Sequence, residues 1–588
     1  MKNTLVKFRK RNIQANIYHF LLVIFVVALS VCLSCGLCIN YFTLNGAIEN
    51  YNAKSSLASC IVETDEFGPL DKTFFDSNFQ YGTRLEFESN VTVGSKTYVA
   101  DIIVADGSVS IPYIVDGKKG VGCFVDIYSV EKYNFGINYS QVSFDFELDA
   151  QTKTLPFNVI GSVAMAEKMI KTEKLTIFID EQSFVKILSE QFEGVAEDDF
   201  SVIKYNQVLI KNSVSDEDVQ KIENYYESST SNLLALELLD DLESYKTIKN
   251  EVKQAKIMSY TFPLLFLLVS ILAVVSTISQ MLVKERYNIG LLKSFGVGNG
   301  SLVSNYSGYG AFFCFVGAIL GLLLAPLIVP NITFESYDKM YILPRELVKL
   351  ICPWWLIVTF VVAAVIIGYF SALFVVVKIV NKTPKECMSR TIKIKLKSRK
   401  KRSKLPTLMS VSMRNIRVNP SRTILGIISI GGGALLCLIG FGVESIYGNN
   451  KEIVQLQSLN TFAQIFKTFS FILVFVSLII IIIQIFKERI RELALLRLNG
   501  NGRFKMWITI FYEMIFVSIF GLCVAFVLCQ PTMILIFKLF NKNVNFVVDF
   551  MCYFKVFISI ILMVCAVSIL GFIRICKLSL TDTLKNPD

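Results

Sequence analysis

Long apolar runs separated by short charged segments dominate this chain. Eight of them, near 17–42, 258–283, 304–330, 353–380, 423–446, 462–486, 506–530 and 552–576, could each cross roughly 30 Å of hydrocarbon as a helix rising about 1.5 Å per residue. Between the first two runs the pattern changes. Residues 84–93 and 97–105 alternate apolar with polar positions around Gly94-Ser95, which predicts a hairpin. Thr176–Ile179 reads as a strand entering a helix near 181–191, and Val208–Ile210 as another strand. Ser215-Asp216-Glu217-Asp218 opens a helix near 216–228 with a capping box. From about 233 onward, Leu238, Leu242, Tyr245, Ile248, Val252 and Ala255 recur at spacings of three and four. That spacing predicts one helix running into the second apolar run, its outer part of about 25 residues reaching about 38 Å. A rigid stalk and an ordinary packed helix fit the periodicity equally well.

Composition narrows the class. The 588 residues are 53% hydrophobic and 18% charged, with mean hydropathy +0.53. These values exclude a soluble enzyme, a disordered scaffold and a disulfide-rich secreted protein. The net charge of +11 is unevenly spread: residues 43–257 hold 35 of the 48 acidic and 19 of the 59 basic side chains. That segment carries −16 and the remainder +27, which suggests two compartments rather than a nucleic-acid binder. Lys2, Lys7, Arg9, Lys10 and Arg11 precede the first run, and eight cations fill Lys393–Lys404. With the charged loops 284–303 and 487–505, they fall on one side if there are eight spans, placing both termini in the cytoplasm and 43–257 outside. The first run is too long, and lacks the cleavage site, for a removed signal peptide.

Candidate chemistry is sparse. Twelve of 14 cysteines lie in or beside the apolar runs; only Cys60 and Cys123 sit well within 43–257, and spacing does not fix whether they pair. No cysteine pair has metal-ligand spacing, and His19, the single histidine, reads as interfacial. The ionisable residues inside runs are few: Glu444, Lys467 and Glu513, the last expected to pair with Arg503 or Lys505. No G-x-x-x-x-G-K-[ST] sequence occurs, and Gly431-Gly432-Gly433 suits close helix packing better than phosphate binding. The chain is therefore expected to be non-catalytic.

An internal repeat organises the rest. Arg11-Asn12-Ile13 before run one matches Arg414-Asn415-Ile416 before run five. Lys284-Glu285-Arg286 through Leu291-Leu292-Lys293 to Gly296 matches Lys487-Glu488-Arg489 through Leu495-Leu496-Arg497 to Gly500, and the same step of 204 residues carries Gly317 onto Gly521. Thr383-Pro384-Lys385-Glu386 matches Ser579-Leu580-Thr581-Asp582. Four landmarks recur in one order, so the chain reads as two four-helix units of like orientation. No inverted repeat is visible, which disfavours an ion-coupled carrier.

These landmarks resemble the FtsX-like permease domain of ABC transporters of the MacB/LolC type. Arg286 to Gly296 fits that family's loop after the second span well, although Asn288 stands where Glu is usual; Arg491 to Gly500 fits less well but keeps Glu492. Val159-Ile160-Gly161, Thr176–Asp180 and Val208–Ile210 with Val219 and Ile222 are similar to the MacB-like periplasmic core domain. The fold class implied is an α-helical polytopic membrane protein, with two tandem four-helix FtsX-like units and one α+β extracytoplasmic domain. It divides into an amphipathic segment 1–16, helix one at 17–42, the external domain with its stalk at 43–257, spans two to four at 258–380, a basic linker 381–422, spans five to eight at 423–576 and a tail 577–588. The function implied is that of a bacterial cell-membrane permease subunit without a bound cofactor, ATP and Mg being held by a separate cytoplasmic ABC ATPase, expected in two copies. The ATPase would move the external domain by mechanotransmission, acting on a peptide, lipopeptide or other envelope substrate. Lys284, Glu285, Arg286, Leu291, Leu292, Lys293, Lys487, Glu488, Arg489, Glu492, Leu495, Leu496 and Arg497 are the expected ATPase-coupling residues, with both leucine pairs anchoring a partner groove. Membrane lipid, a second permease or an external peptide or protein are further partners. Two other readings remain: an FtsX-like regulator activating a cell-wall hydrolase, and a receptor or channel without ATPase.

Overall fold

A computed structural model describes all of the chain except residues 1–16, 66, 118–119, 134–139, 149–150, 173, 194, 197–199, 212, 229–231, 389–406, 419, 450–454, 499, 540–547 and 577–588. The terminal cations, the eight-cation linker and Ser579-Leu580-Thr581-Asp582 lie outside the described residues. The chain forms two compact units. One comprises Met1–Asn40, Gln254–Thr333 and Cys352–Asp588; the other comprises Tyr41–Lys253 and Phe334–Ile351.

Ten strands and four short α-helices build the second unit, together with the end of helix α1 (Ile17–Ser55). In chain order they are β1 (Cys60–Thr64), α2 (Pro69–Asn78), β2 (Tyr81–Val93), β3 (Lys96–Ala105), β4 (Tyr113–Gly117), β5 (Cys123–Asp126) and α3 (Ile127–Tyr133). Then follow β6 (Gln141–Leu148), β7 (Gln151–Ala164), β8 (Leu175–Asp180), α4 (Glu181–Gln191), β9 (Gln207–Ile210), α5 (Asp216–Ser228) and β10 (Leu233–Leu238). The Gly94-Ser95 hairpin forms as expected: Val93 faces Lys96, and Gly94 takes φ +61, a left-handed value that glycine adopts without Cβ strain. The helix at 216–228 begins at the capping box, with Asp218 N–H donating to Ser215 Oγ at 3.3 Å and Ser215 N–H to Asp218 Oδ2 at 3.1 Å.

Sheet closure is the feature that periodicity does not reveal. β2 pairs with β3, β3 with β8, β8 with β5, β5 with β7, β7 with β6, and β6 with β2. Six strands thus form a β-barrel-like ring. Val91, Ile102, Val125, Phe144, Phe157 and Ile177 fill it, and Phe184 and Leu188 of α4 join the same cluster. β9 extends from β2, β1 from β9 and β10 from β1. Arg84 of β2 is 3% exposed, donates to Gln207 Oε1 at 2.6 Å and to Glu167, and lies 3.2 Å from Glu86. Burial would raise the Glu86 carboxyl, but Arg84 and Lys168 outweigh it and hold it below its ordinary value.

Two expectations are corrected. The helix expected from about 233 starts only at Glu243: Leu233–Leu238 is β10, hydrogen-bonded along β1. A leucine-rich segment fits either period, and the edge of β1 supplied the partner. The part before residue 258 is therefore Glu243–Ile257, about 22 Å rather than 38 Å. Cys60 and Cys123 are both free and buried, on β1 and β5, five strand steps apart in the sheet. At roughly 4.8 Å per step, no bridge can span them. The second unit also takes in Phe334–Ile351, beyond the 43–257 limits: Ile342 N–H donates to Met169 O at 2.6 Å, and Tyr113 Oη to Glu346 Oε2 at 3.1 Å.

The first unit contains most of α1 and the long helices α6 (Glu243–Ser294), α7 (Asn299–Met340) and α8 (Trp354–Val380). After the short α9 (Pro384–Met388) and the amphipathic α10 (Thr407–Val418) come α11 (Pro420–Asn449), α12 (Gln455–Leu498), α13 (Arg503–Leu539) and α14 (Phe550–Cys576). Among the described residues, seven helices are long and apolar enough to cross a membrane; α6 contains the remaining expected run, 258–283. Glycines set the helix spacing. A Cβ on Gly317 of α7 would lie 2.8 Å from Ile24 O and 3.0 Å from Val27 Cβ. One on Gly521 of α13 would lie 3.1 Å from Ile427 O and 3.2 Å from Ile430 Cβ. The same contact therefore recurs with Ile24 and Val27 replaced by residues 403 positions later. Gly431 packs against Gly521, in keeping with close helix packing.

Candidate functional site: two matching helix ends

The charged segments expected as loops after runs two and six are instead the last turns of α6 and α12. Both close in one geometry. Gly296 and Gly500 have φ +84 and +78, the left-handed stop that glycine favours. Gly296 N–H donates to Lys293 O at 3.0 Å and Val297 N–H to Leu292 O at 3.1 Å. Gly500 N–H donates to Arg497 O at 3.2 Å and Asn501 N–H to Leu496 O at 3.1 Å. Each end thus satisfies its last carbonyls with the same pair of bonds, 204 residues apart.

At the first end, one stripe of α6 is occupied by α9. Arg286 donates to Glu386 O, and Lys293 Nζ donates to Val380 O at 2.6 Å and Lys382 O at 2.7 Å, capping α8. Between them Gly290 lies against α9, where a Cβ would stand 2.8 Å from Met388 Cγ and 2.9 Å from Cys387 Cβ. The Thr383-Pro384-Lys385-Glu386 motif is the start of that helix. Glu386 N–H donates to Thr383 Oγ1 at 3.3 Å, and Thr383 N–H to Glu386 Oε2 at 3.2 Å. Glu285 is buried and accepts from Asn288 Nδ2 at 2.8 Å.

At the second end, the buried charge is Arg489, the arginine of the Lys487-Glu488-Arg489 run. Its Nη1 lies 2.8 Å from Glu513 Oε2, and Glu513 is fully buried. Arg503 and Lys505, expected to be its partners, are not: they stand on Glu513's own helix, at its first turn, about 12–15 Å along the axis from it. The Arg489–Glu513 pair joins α12 to α13, so no spacing within one run could reveal it. The remaining pair of run-embedded charges also meets, Lys467 Nζ lying 2.6 Å from Glu444 Oε2 and 4.9 Å from the Phe441 ring centre.

The leucine doublets divide. Leu292 and Leu496 pack onto the helix clusters of their own unit. Leu291 is half-buried, Leu495 is 48% exposed, and Tyr287 and Phe295 beside the first end are 53% and 71% exposed. Glu492 is exposed and Arg497 half-buried; the side chains of Lys284, Lys487 and Glu488 lie outside those described. Each end therefore presents an outward apolar row next to polar residues, while its other stripe is fixed to the unit. Such a surface suits reversible contact with a protein groove.

The FtsX-like permease C-terminal family matches residues 260–384 and 464–580, two stretches that begin 204 residues apart and contain both helix ends. No curated protein matches the chain. The family match supports an ABC transporter permease subunit, a non-catalytic multi-pass membrane component that works with a cytoplasmic ATPase.

Proposed function

We propose that the chain is the permease subunit of an ABC transporter in which a separate ATPase docks on the two helix ends, 284–296 and 487–500. The observation that carries this reading is the repeated closure at Gly296 and Gly500, each beside exposed apolar side chains, Tyr287 and Phe295 at the first end and Leu495 and Leu498 at the second. A topology signal requires only the cations; it does not require this geometry twice. The cation-rich segments support these ends being cytoplasmic and residues 43–257 being outside. The duplicated landmarks support two four-helix sets of like orientation, hence two docking places for two ATPase copies. α6 is one helix of 52 residues from Glu243 to Ser294, its hydrogen-bond ladder broken at Pro263, so a push at its Lys293 end has a single helix to travel along toward Glu243. The acidic unit is then the part that meets a peptide, lipopeptide or other envelope substrate, and movement of that unit, rather than an aqueous path through the spans, is the output.

The test is co-purification. Leu495→Asp should release the ATPase from one half and Leu291→Asp from the other, with membrane insertion unchanged. The double variant should retain less than a tenth of the ATPase. Full retention by the double variant sinks the docking assignment.

A further inference from the structure

The spans of the first half border a partly open pocket with about 30 Å³ of room for water centres, lined by Ser30 and Ser34 of α1, Ser270 of α6, Cys314 of α7 and, on α8, Phe360 and Ala364. It lies far from the α6 end: Ser270 stands 24 residues before Ser294, about 36 Å along the axis. Three hydroxyls line one small space whose other walls are apolar side chains and a thiol. Ser30 is 4% exposed, and its Oγ has no hydrogen-bond partner among the described residues. Ser270 Oγ donates to Leu267 O at 2.8 Å, which leaves its lone pairs free to accept. A buried hydroxyl with no partner is destabilising, and hydrocarbon offers it none.

The second half provides an internal comparison. The step of 403 that relates Ile24 to Ile427 carries Ser30 onto Gly433, and the step of 204 carries Ser270 onto Val474. There the seam is shut: a Cβ on Gly433 would lie 2.5 Å from Val474 Cγ2. The position that could hydrogen-bond is gone, and so is the space. Polarity and room thus occur together in one half and vanish together in the other.

We propose that the first-half cavity is a water-binding site at the level of the membrane interior, where one or two water molecules accept from Ser30 Oγ and donate to Ser270 Oγ. A water needs roughly 10–15 Å³ by this measure and two to four polar partners, and the site offers both. An acyl chain is disfavoured because it fits neither the volume nor the hydroxyls. The water makes the α1–α6 contact of the first half exchangeable, whereas Gly433 against Val474 makes that of the second half a direct packing contact.

Two variants of the full-length protein in lipid nanodiscs read opposite signs for a wet and a dry cavity. With water bound, Ser30→Ala removes a partner and should lower the unfolding midpoint by about 1 °C or more. Ser270→Val expels the water and should lower it too. In a dry cavity Ser30→Ala deletes an unpaired hydroxyl and Ser270→Val fills space, so both raise the midpoint. A rise or no change in Ser30→Ala overturns the proposal. Should a variant fail to insert, a cryo-EM density map of the unaltered protein decides: a peak within hydrogen-bond distance of Ser30 Oγ upholds the site. No peak, or continuous chain density from a lipid, overturns it.

Discussion

Arg489 and Glu513 matter less for the attraction between them than for what each would become alone. Both are buried, so removing one leaves an uncompensated charge among apolar helices. Arg489→Leu should destabilise the protein by about 3–5 kcal/mol, whereas Arg489→Leu with Glu513→Leu should cost clearly less. Denaturant unfolding in detergent checks this, and a double variant as unstable as the sum of the singles would show that the pair is not the relevant unit. Glu86 gives a pH-dependent counterpart. Burial alone would raise its carboxyl, yet Arg84 and Lys168 hold it below the ordinary value near 4.5. A depressed carboxyl contributes stability above its unfolded-state value and loses it as pH falls through the folded value. Glu86→Gln should therefore unfold more easily than the parent chain at pH 7, and the difference should close as pH drops below about 4. A difference that persists at pH 2 would point to packing instead of charge.

At the scale of elements, the two glycine stops are the most exposed to test. A side chain at φ near +80° costs about 1–2 kcal/mol, most of all when β-branched. Gly296→Val and Gly500→Val should each lower stability by that amount. Gly298→Val and Gly502→Val should cost less, because an added Cβ there meets no atom within 4 Å and φ is not left-handed. Thermal melts of the four variants separate these outcomes. Gly290→Leu should do more, because Cys387 and Met388 already occupy the space and α9 must move. These elements also show what sequence reveals. The hairpin at Gly94, the helix at Asp216 and the long apolar helices depend on local spacing and are legible. Ring closure depends on pairs such as β3 with β8, whose partners are 75 residues apart, as Ala100 with Leu175, and no periodicity encodes it. β10 escapes the pattern because Leu238, Leu242 and Tyr245 continue a helical spacing backward into a strand. The exposed Leu495 and the half-buried Leu496 are indistinguishable in sequence, since adjacent helical positions differ by only about 100°.

For the whole molecule, the union of Phe334–Ile351 with Tyr41–Lys253 fixes relations among spans. Segments within one compact unit share a side of the membrane, so the proposed topology requires α6 and α7 each to cross it between that unit and Gly296. Cysteines placed at Lys174 and Lys339 should react with a membrane-impermeant thiol reagent in intact cells, above the background of the native thiols. Those placed at Phe295 and Leu498 should react only after lysis. Labelling of Lys174→Cys and Lys339→Cys from opposite sides would break the topology. The order of the strands has a further consequence, for synthesis. β1 is made early, yet its two partners, β9 and β10, begin at residues 207 and 233. At roughly 5–20 residues per second, both edges of β1 stay open for about 10–30 s after it is made. During that interval the nascent chain, tethered by its first span, offers Cys60–Thr64 to any other strand nearby, so ribosome pausing before residue 238 is the step at which this protein is most liable to mispair.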